Sequence, residues 1–177
     1  MKKKRILLSI YMLCFFCSLI WLMHLITKPE VLPIGTHLTP LDSLTADGPK
    51  LIQPDSTKDT IIVLFHPRCK HCIYQLRIIN DNIAKFLTKR IYLLTTDKSL
   101  FSSELLSLFP ILSRSDNVSW GIVQGKQAKS SLGSTATPQI FIFDSSGCLV
   151  DKIRGESKPE HILKKLDGPE HRLSGTN

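Results

Sequence analysis

The residues best suited to chemistry are Cys69-Lys70-His71-Cys72, placed directly after the apolar run Thr60–Phe65. Two cysteines with two residues between them can close a small disulfide ring. Where a strand hands over to a helix, the first sulfur also meets the helix's positive end. A thiol in that place is reactive rather than merely buried. Arg68, Lys70 and His71 add positive charge beside Cys69 and favour its ionised form. Cys72, one turn further on, is expected to be the more buried, resolving thiol. The chemistry these residues point to is thiol–disulfide exchange: Cys69 attacks a disulfide, a mixed disulfide forms, and Cys72 displaces the partner by closing the 69–72 bond. Downstream, Ala136-Thr137-Pro138 leads into the strand-like Gln139–Phe143, where a proline could present a backbone edge to the sulfurs.

Other chemistries remain open for the same pair. A zinc site usually needs a second Cys/His pair at workable spacing, and none is present. A Cu(I) site would take Cys69, Cys72 and a histidine such as His66 or His71. A peroxidase would more commonly carry a lone attacking cysteine in a Pro/Thr-rich loop. The chain has five cysteines. Cys14 and Cys17 lie inside an apolar run and read as small apolar side chains. Cys148 follows Gly147 in a turn and has no local partner in the sequence.

The elements that must position the pair follow from periodicity. Thr60–Phe65 has the β-branched density of a buried strand, and residues 71–87 read as a helix with Ile73, Leu76, Ile79, Ile83 and Phe86 on one face. Ile91–Leu94 reads as a second buried strand, and residues 102–109 as a helix stopped by Pro110. A short strand (118–123) and helix (126–132) come next, then strands over 139–143 and 149–154 and a helix over 159–166. A hairpin turn is expected near Asp47-Gly48. The order, β-α-β-α-(β-α)-β-β-α, is that of an α/β domain with a sheet covered by helices.

Ahead of this domain, Lys2, Lys3, Lys4 and Arg5 precede an apolar run of 21 residues, Ile6–Ile26. As a helix it is about 31 Å long at about 1.5 Å per residue, enough to cross the hydrocarbon core of a bilayer. No Ala-x-Ala-like cleavage site follows, so an uncleaved anchor is expected, with the cations on the cytoplasmic side and the domain outside. That side is typically oxidising. The expected organisation is a basic flank (1–5), an anchor (6–26), a tether with an extended segment (27–58), the domain proper (59–166) and a polar tail (167–177). Half of the net charge of +8 lies in the flank, and the other cations are dispersed, which excludes a nucleic-acid patch. Asn117-Val118-Ser119 is a formal glycosylation acceptor of a kind common by chance.

The strand–C-x-x-C–helix unit, the stretch from Leu132-Gly133 to Thr137-Pro138, and Phe141–Asp144 with its Gly147 turn resemble the thioredoxin superfamily. Within it they are most similar to membrane-anchored TlpA-like and ResA-like proteins, over roughly residues 32–166. The 69 positions from Cys69 to Pro138 match the strand–helix insertion of that branch. The resemblance implies a thioredoxin-like fold, a central mixed sheet flanked by helices. It also implies a cis Pro138 with Thr137 offering its backbone to substrate, and no cofactor beyond the dithiol. The implied partners are envelope proteins with cysteine pairs, together with a membrane electron donor. Three positions depart from the family: Val63 stands where thioredoxins bury an acid, Gln75 where TlpA-like proteins often have Glu, and Arg68 where an aromatic residue is usual. The Lys-His dipeptide is similar instead to the oxidising DsbA-like branch, so family likeness favours a reductase while local charge leans towards an oxidase or isomerase.

Overall fold

The structure, a computed structural model, describes residues 2–26, 32–102 and 104–166. The chain divides into two units, Met1–Glu30 and Val31–Asn177. The first contains helix α1 (Lys2–Ile26), whose described side chains, residues 11–23, are all exposed. Among the described residues no helix is long and apolar enough to cross a membrane. The expected polar tail, 167–177, lies outside the described residues, as does the start of the tether.

The second unit is built on seven strands: β1 (Leu41–Thr45), β2 (Gly48–Ile52), β3 (Thr60–Leu64), β4 (Arg90–Thr95), β5 (Val118–Ile122), β6 (Gln139–Phe143) and β7 (Leu149–Arg154). They form one sheet in the order β2-β1-β5-β4-β3-β6-β7. β3, β4 and β5 run parallel, while β6, β7, β1 and β2 each pair antiparallel to their neighbours. The helices are α2 (Lys70–Asp81), α3 (Pro110–Arg114), α4 (Gly125–Leu132) and α5 (Pro159–Lys164).

Alternation along the strands sorts the core into two layers, because successive side chains point to opposite faces. Ile61, Val63, Ile91, Leu93, Ile140 and Ile142 pack with Leu76 and Ile79 of α2, Leu112 of α3 and Ile162 of α5. Ile62, Leu64, Tyr92, Leu94, Phe141 and Phe143 pack on the other face with Ala128 and Leu132 of α4 and with Leu38, Leu41 and Ile52. Every residue of β3 and β6 is buried, as central strands covered on both faces require.

Two helices differ from their expected limits. The helix expected over 71–87 stops at Asp81 and resumes as a 3-10 turn, Ile83–Phe86. Asn82 donates its side-chain amide to Ile78 O at 2.9 Å, and Asn80 Oδ1 accepts from Leu112 N–H at 3.3 Å. Short polar side chains here compete with the helical ladder. The helix expected over 102–109 is two 3-10 turns, Leu100–Ser102 and Glu104–Leu108. Pro110 does not stop a helix but opens α3, at a position where its missing N–H costs nothing. The formal acceptor Asn117 is buried, with its amide nitrogen donating to Phe86 O at 2.9 Å and Lys89 O at 3.1 Å.

Gly121 sits where β5 meets the hairpin strand β1. A Cβ there would fall 2.0 Å from Ser43 Oγ, a buried hydroxyl without a partner, and 3.2 Å from a Leu94 methyl. Gly121→Ala is expected to lower stability by about 1–3 kcal/mol, read as the urea midpoint. Ser43→Ala in the same chain is expected to restore most of that loss. An unchanged midpoint for Gly121→Ala would contradict this packing.

Candidate active site

The C-terminal end of β3 and the N-terminal end of β6 are neighbours, since Leu64 pairs with Gln139. The chain leaving β3 therefore meets the chain entering β6 at one edge of the sheet. Phe65 N–H still pairs with Leu94 O at 2.9 Å, after which His66–Cys69 turns, closed by Cys69 N–H to His66 O at 3.0 Å. Cys69 is the N-cap of α2, with extended backbone at φ −90° and ψ 116°. Its sulfur accepts the Cys72 N–H at 3.3 Å, and its carbonyl accepts the Ile73 N–H at 3.0 Å. Cys69 is partly exposed and Cys72 is fully buried, and neither is in a disulfide here.

That difference in burial separates the two sulfurs chemically. Burial pushes the Cys72 thiol up to about 11, and its hydrogen bond with Cys69 adds to the rise. Hydrogen bonds from the His66 backbone and the Thr137 side chain pull the other way. The Thr137 contact also places the second expected element at the sulfurs. Thr137–Pro138 is cis, as the family resemblance implied. Pro138 is buried while Thr137 is exposed, which leaves the backbone before the proline open beside Cys69 and Cys72.

The three expected modulators are all adjacent to the pair, but two of them carry counter-charges that the sequence did not suggest. Arg68 lies 4.0 Å from Asp97 Oδ2, and His66 Nε2 lies 3.6 Å from the same oxygen. His66 Nδ1 also accepts the Arg68 N–H at 3.2 Å. Ser99, through its hydroxyl and then its N–H, holds the Asp97 carboxyl below the usual carboxylate range; His66 and Arg68 add smaller contributions. His71 Nδ1 is 2.6 Å from Glu156 Oε1, and Lys70 is exposed. Both histidines are thus engaged away from the sulfurs, and among the described residues no group of three or more His, Cys, Asp or Glu could hold a metal.

Sequence reasoning missed the loop that follows β7. Gly155 N–H donates to Pro138 O at 2.9 Å, Glu156 holds His71, and Ser157 N–H donates to Gln75 Oε1 at 2.6 Å. Gln75, fully buried, therefore acts as a brace to this loop; its Nε2 has no partner. Only a Gly155 bounded by polar residues marked the segment in the sequence. Cys148 is not part of the site. It lies after the far end of β6, with its sulfur 3.4 Å from His37 Nε2, so it does have a neighbour.

With exposure and acidity so divided, iodoacetamide at pH 7 is expected to modify Cys69 of the reduced protein and spare Cys72. The Cys72 rate should climb about tenfold per pH unit towards pH about 11 and lose its lag when the chain is denatured. Equal labelling of the two cysteines in the folded protein at pH 7 would contradict the site geometry.

No protein-family model and no curated protein sequence matches the chain. Solved structures do. A peroxiredoxin-like protein from Aquifex aeolicus superposes with TM-score 0.61 at 14% identity, over 76% of this chain and 86% of the other. The thioredoxin domain of a thiol-disulfide oxidoreductase from Bacteroides vulgatus gives 0.59 at 15% identity, over 77% and 96%. A thiol:disulfide interchange protein from Bacteroides sp. gives 0.58 at 17% identity, over 80% and 95%. The sheet order, the N-cap cysteine, the cis proline and these likenesses agree on one conclusion: the domain has a thioredoxin-like fold.

Proposed function

We propose that the chain is a thiol–disulfide oxidoreductase that works through Cys69 and Cys72, without a cofactor beyond this dithiol. One observation carries the proposal: an N-cap cysteine, a buried cysteine one turn later and a cis Thr137–Pro138 peptide meet at one place. The solved structures of interchange proteins with the same fold support it.

The cycle balances as follows. The Cys69 thiolate attacks one sulfur of a substrate disulfide, and that S–S bond breaks as the mixed disulfide forms. The released substrate sulfur takes up a proton. Cys72 then gives up its proton and attacks Cys69 Sγ, and the substrate's second thiolate leaves. Counting the proton that Cys69 lost on ionising and the one that the second substrate thiolate then takes up, the substrate disulfide has gained two electrons and two protons, and the protein dithiol has lost them. Run backwards, the same steps oxidise a substrate dithiol. Arg68 and His71 each face an acid, Asp97 and Glu156, so these two side chains do not by themselves favour the oxidising direction. Burial disfavours the Cys72 thiolate, which leaves exposed Cys69 as the attacking sulfur and Cys72 as the resolving one.

The N-terminal unit supports a membrane-tethered, extracytoplasmic enzyme. Helix α1 exposes Leu13, Phe15, Phe16, Ile20 and Trp21, and four cations precede its apolar run. On this reading Ile6–Ile26 is the anchor, the substrates are cysteine pairs of envelope proteins, and a membrane electron donor restores the dithiol. The copper alternative lacks support in the site, because His66 faces Asp97 and His71 faces Glu156. A peroxidase reading is also weaker here, since Cys72 stands one turn from Cys69 as a ready resolving thiol.

Full-length Cys72→Ser is expected to accumulate mixed disulfides with other proteins through Cys69, and Cys69→Ser to lose disulfide turnover to background. Capture by Cys148 at a similar level, or by neither residue, would overturn the assignment. The chain is expected to stay in the membrane pellet after an alkaline carbonate wash and to be released when residues 1–27 are removed. Release of the intact chain by that wash would contradict anchoring.

A further inference from the structure

The charged side chains around Cys69 are unevenly presented. Arg68 and His71 have side-chain exposures of 84% and 78%, whereas their acid partners Asp97 and Glu156 have 16% and 33%. Arg68 and His71 stand further out than the acids they face. Lys70, between the two cysteines, is exposed, and so are Arg154 and Lys158 on either side of the loop that ties Pro138 to α2. Arg154 pairs across the sheet with Gln139, the residue after Pro138, which sets it along the cis-proline edge. Among the described residues no acid lies within ion-pair distance of Lys70, Arg154 or Lys158. Glu160, which also feels Lys158, is already held by Lys85 Nζ at 2.5 Å. Arg68, Lys70, Arg154 and Lys158 therefore outnumber the acids Asp97 and Glu156 around the reactive sulfur.

From this arrangement we infer that the enzyme selects polypeptides carrying Asp or Glu on both sides of the cysteine they present. The inference rests on the thiol–disulfide function proposed above and names the substrate class of that same site. Arg68 and Lys70 flank Cys69, while Arg154 and Lys158 lie along the edge that leads to Thr137–Pro138. A substrate segment laid beside Thr137 thus meets positive charge before and after its sulfur. Exposed charges of this kind act through steering, so they raise the rate of encounter and are screened by salt.

The test uses the reduced full chain in nonionic detergent with three disulfide-bonded peptides, identical except that the cysteine is flanked by acidic, neutral or basic residues. Each second-order rate is divided by the rate of the same peptide with dithiothreitol, whose only charge is its attacking thiolate, so that the peptide's intrinsic reactivity towards a thiolate cancels. At about 20 mM salt the order expected is acidic over neutral over basic, with about a tenfold span, which shrinks below about twofold at about 0.5 M salt. Arg154→Glu with Lys158→Glu is expected to compress or invert the order at low salt. Equal rates for the three peptides at low salt would overturn the inference and leave the dithiol chemistry standing. An order that persists in high salt, or that ignores the double substitution, would also overturn it. Failure to react with any peptide would instead overturn the underlying function.

Discussion

The site depends on one contact, the Cys72 N–H held by the Cys69 sulfur at the first turn of α2. A helix N-terminus leaves backbone N–H groups without partners, and the N-cap side chain normally supplies an oxygen to satisfy one. Here a sulfur takes that place. The same atom therefore ends the strand-to-helix turn, sits in the positive field of the helix end, and faces the residue it must bond with. A substitution that keeps the cap but not the sulfur, such as Ser, preserves the local architecture and removes the chemistry, so folding and reactivity are separable at position 69.

Everything around that contact serves to hold it at the sheet edge. β3 is buried along its whole length and cannot slide without moving its apolar set to the wrong face, so its last residue fixes where the turn to Cys69 begins. The antiparallel register of β6 on β3 fixes where Pro138 arrives. The loop after β7 then ties three parts of the site together through Pro138 O, His71 and Gln75. Gln75 is informative here. A carboxylate buried at this position would carry a charge to be compensated, whereas the amide braces Ser157 as a neutral acceptor. Proton movement at Cys72 must therefore use groups other than a side-chain acid on α2.

Much of this was readable from residue types and spacing. The C-x-x-C after a β-branched run, the proline before Gln139–Phe143, and the Asp47-Gly48 turn carry their structural consequences locally. β6 and β7 accordingly have the boundaries that periodicity implied. What escaped was set by partners far away in the chain. The end of α2 at Asp81 depends on Asn80 reaching Leu112, and the role of Pro110 on a chain that arrives as 3-10 turns. The counter-charges on Arg68 and His71 come from residues 29 and 85 positions downstream, Asp97 and Glu156, and no local pattern announces them. Neither does spacing reveal that Ser157 closes on Gln75. The cations beside Cys69 were thus legible, but the field they produce was not.

The most direct measurement is a map of thiols and disulfides after the full chain is equilibrated with graded ratios of reduced to oxidised glutathione, quenched in acid and alkylated. The account predicts that Cys69 and Cys72 convert together, losing two hydrogens as a bonded pair over one transition, while Cys148 keeps its free thiol throughout. Cys69 and Cys72 remaining unbonded to each other across the whole range, or Cys69 pairing with Cys148 instead, would contradict it.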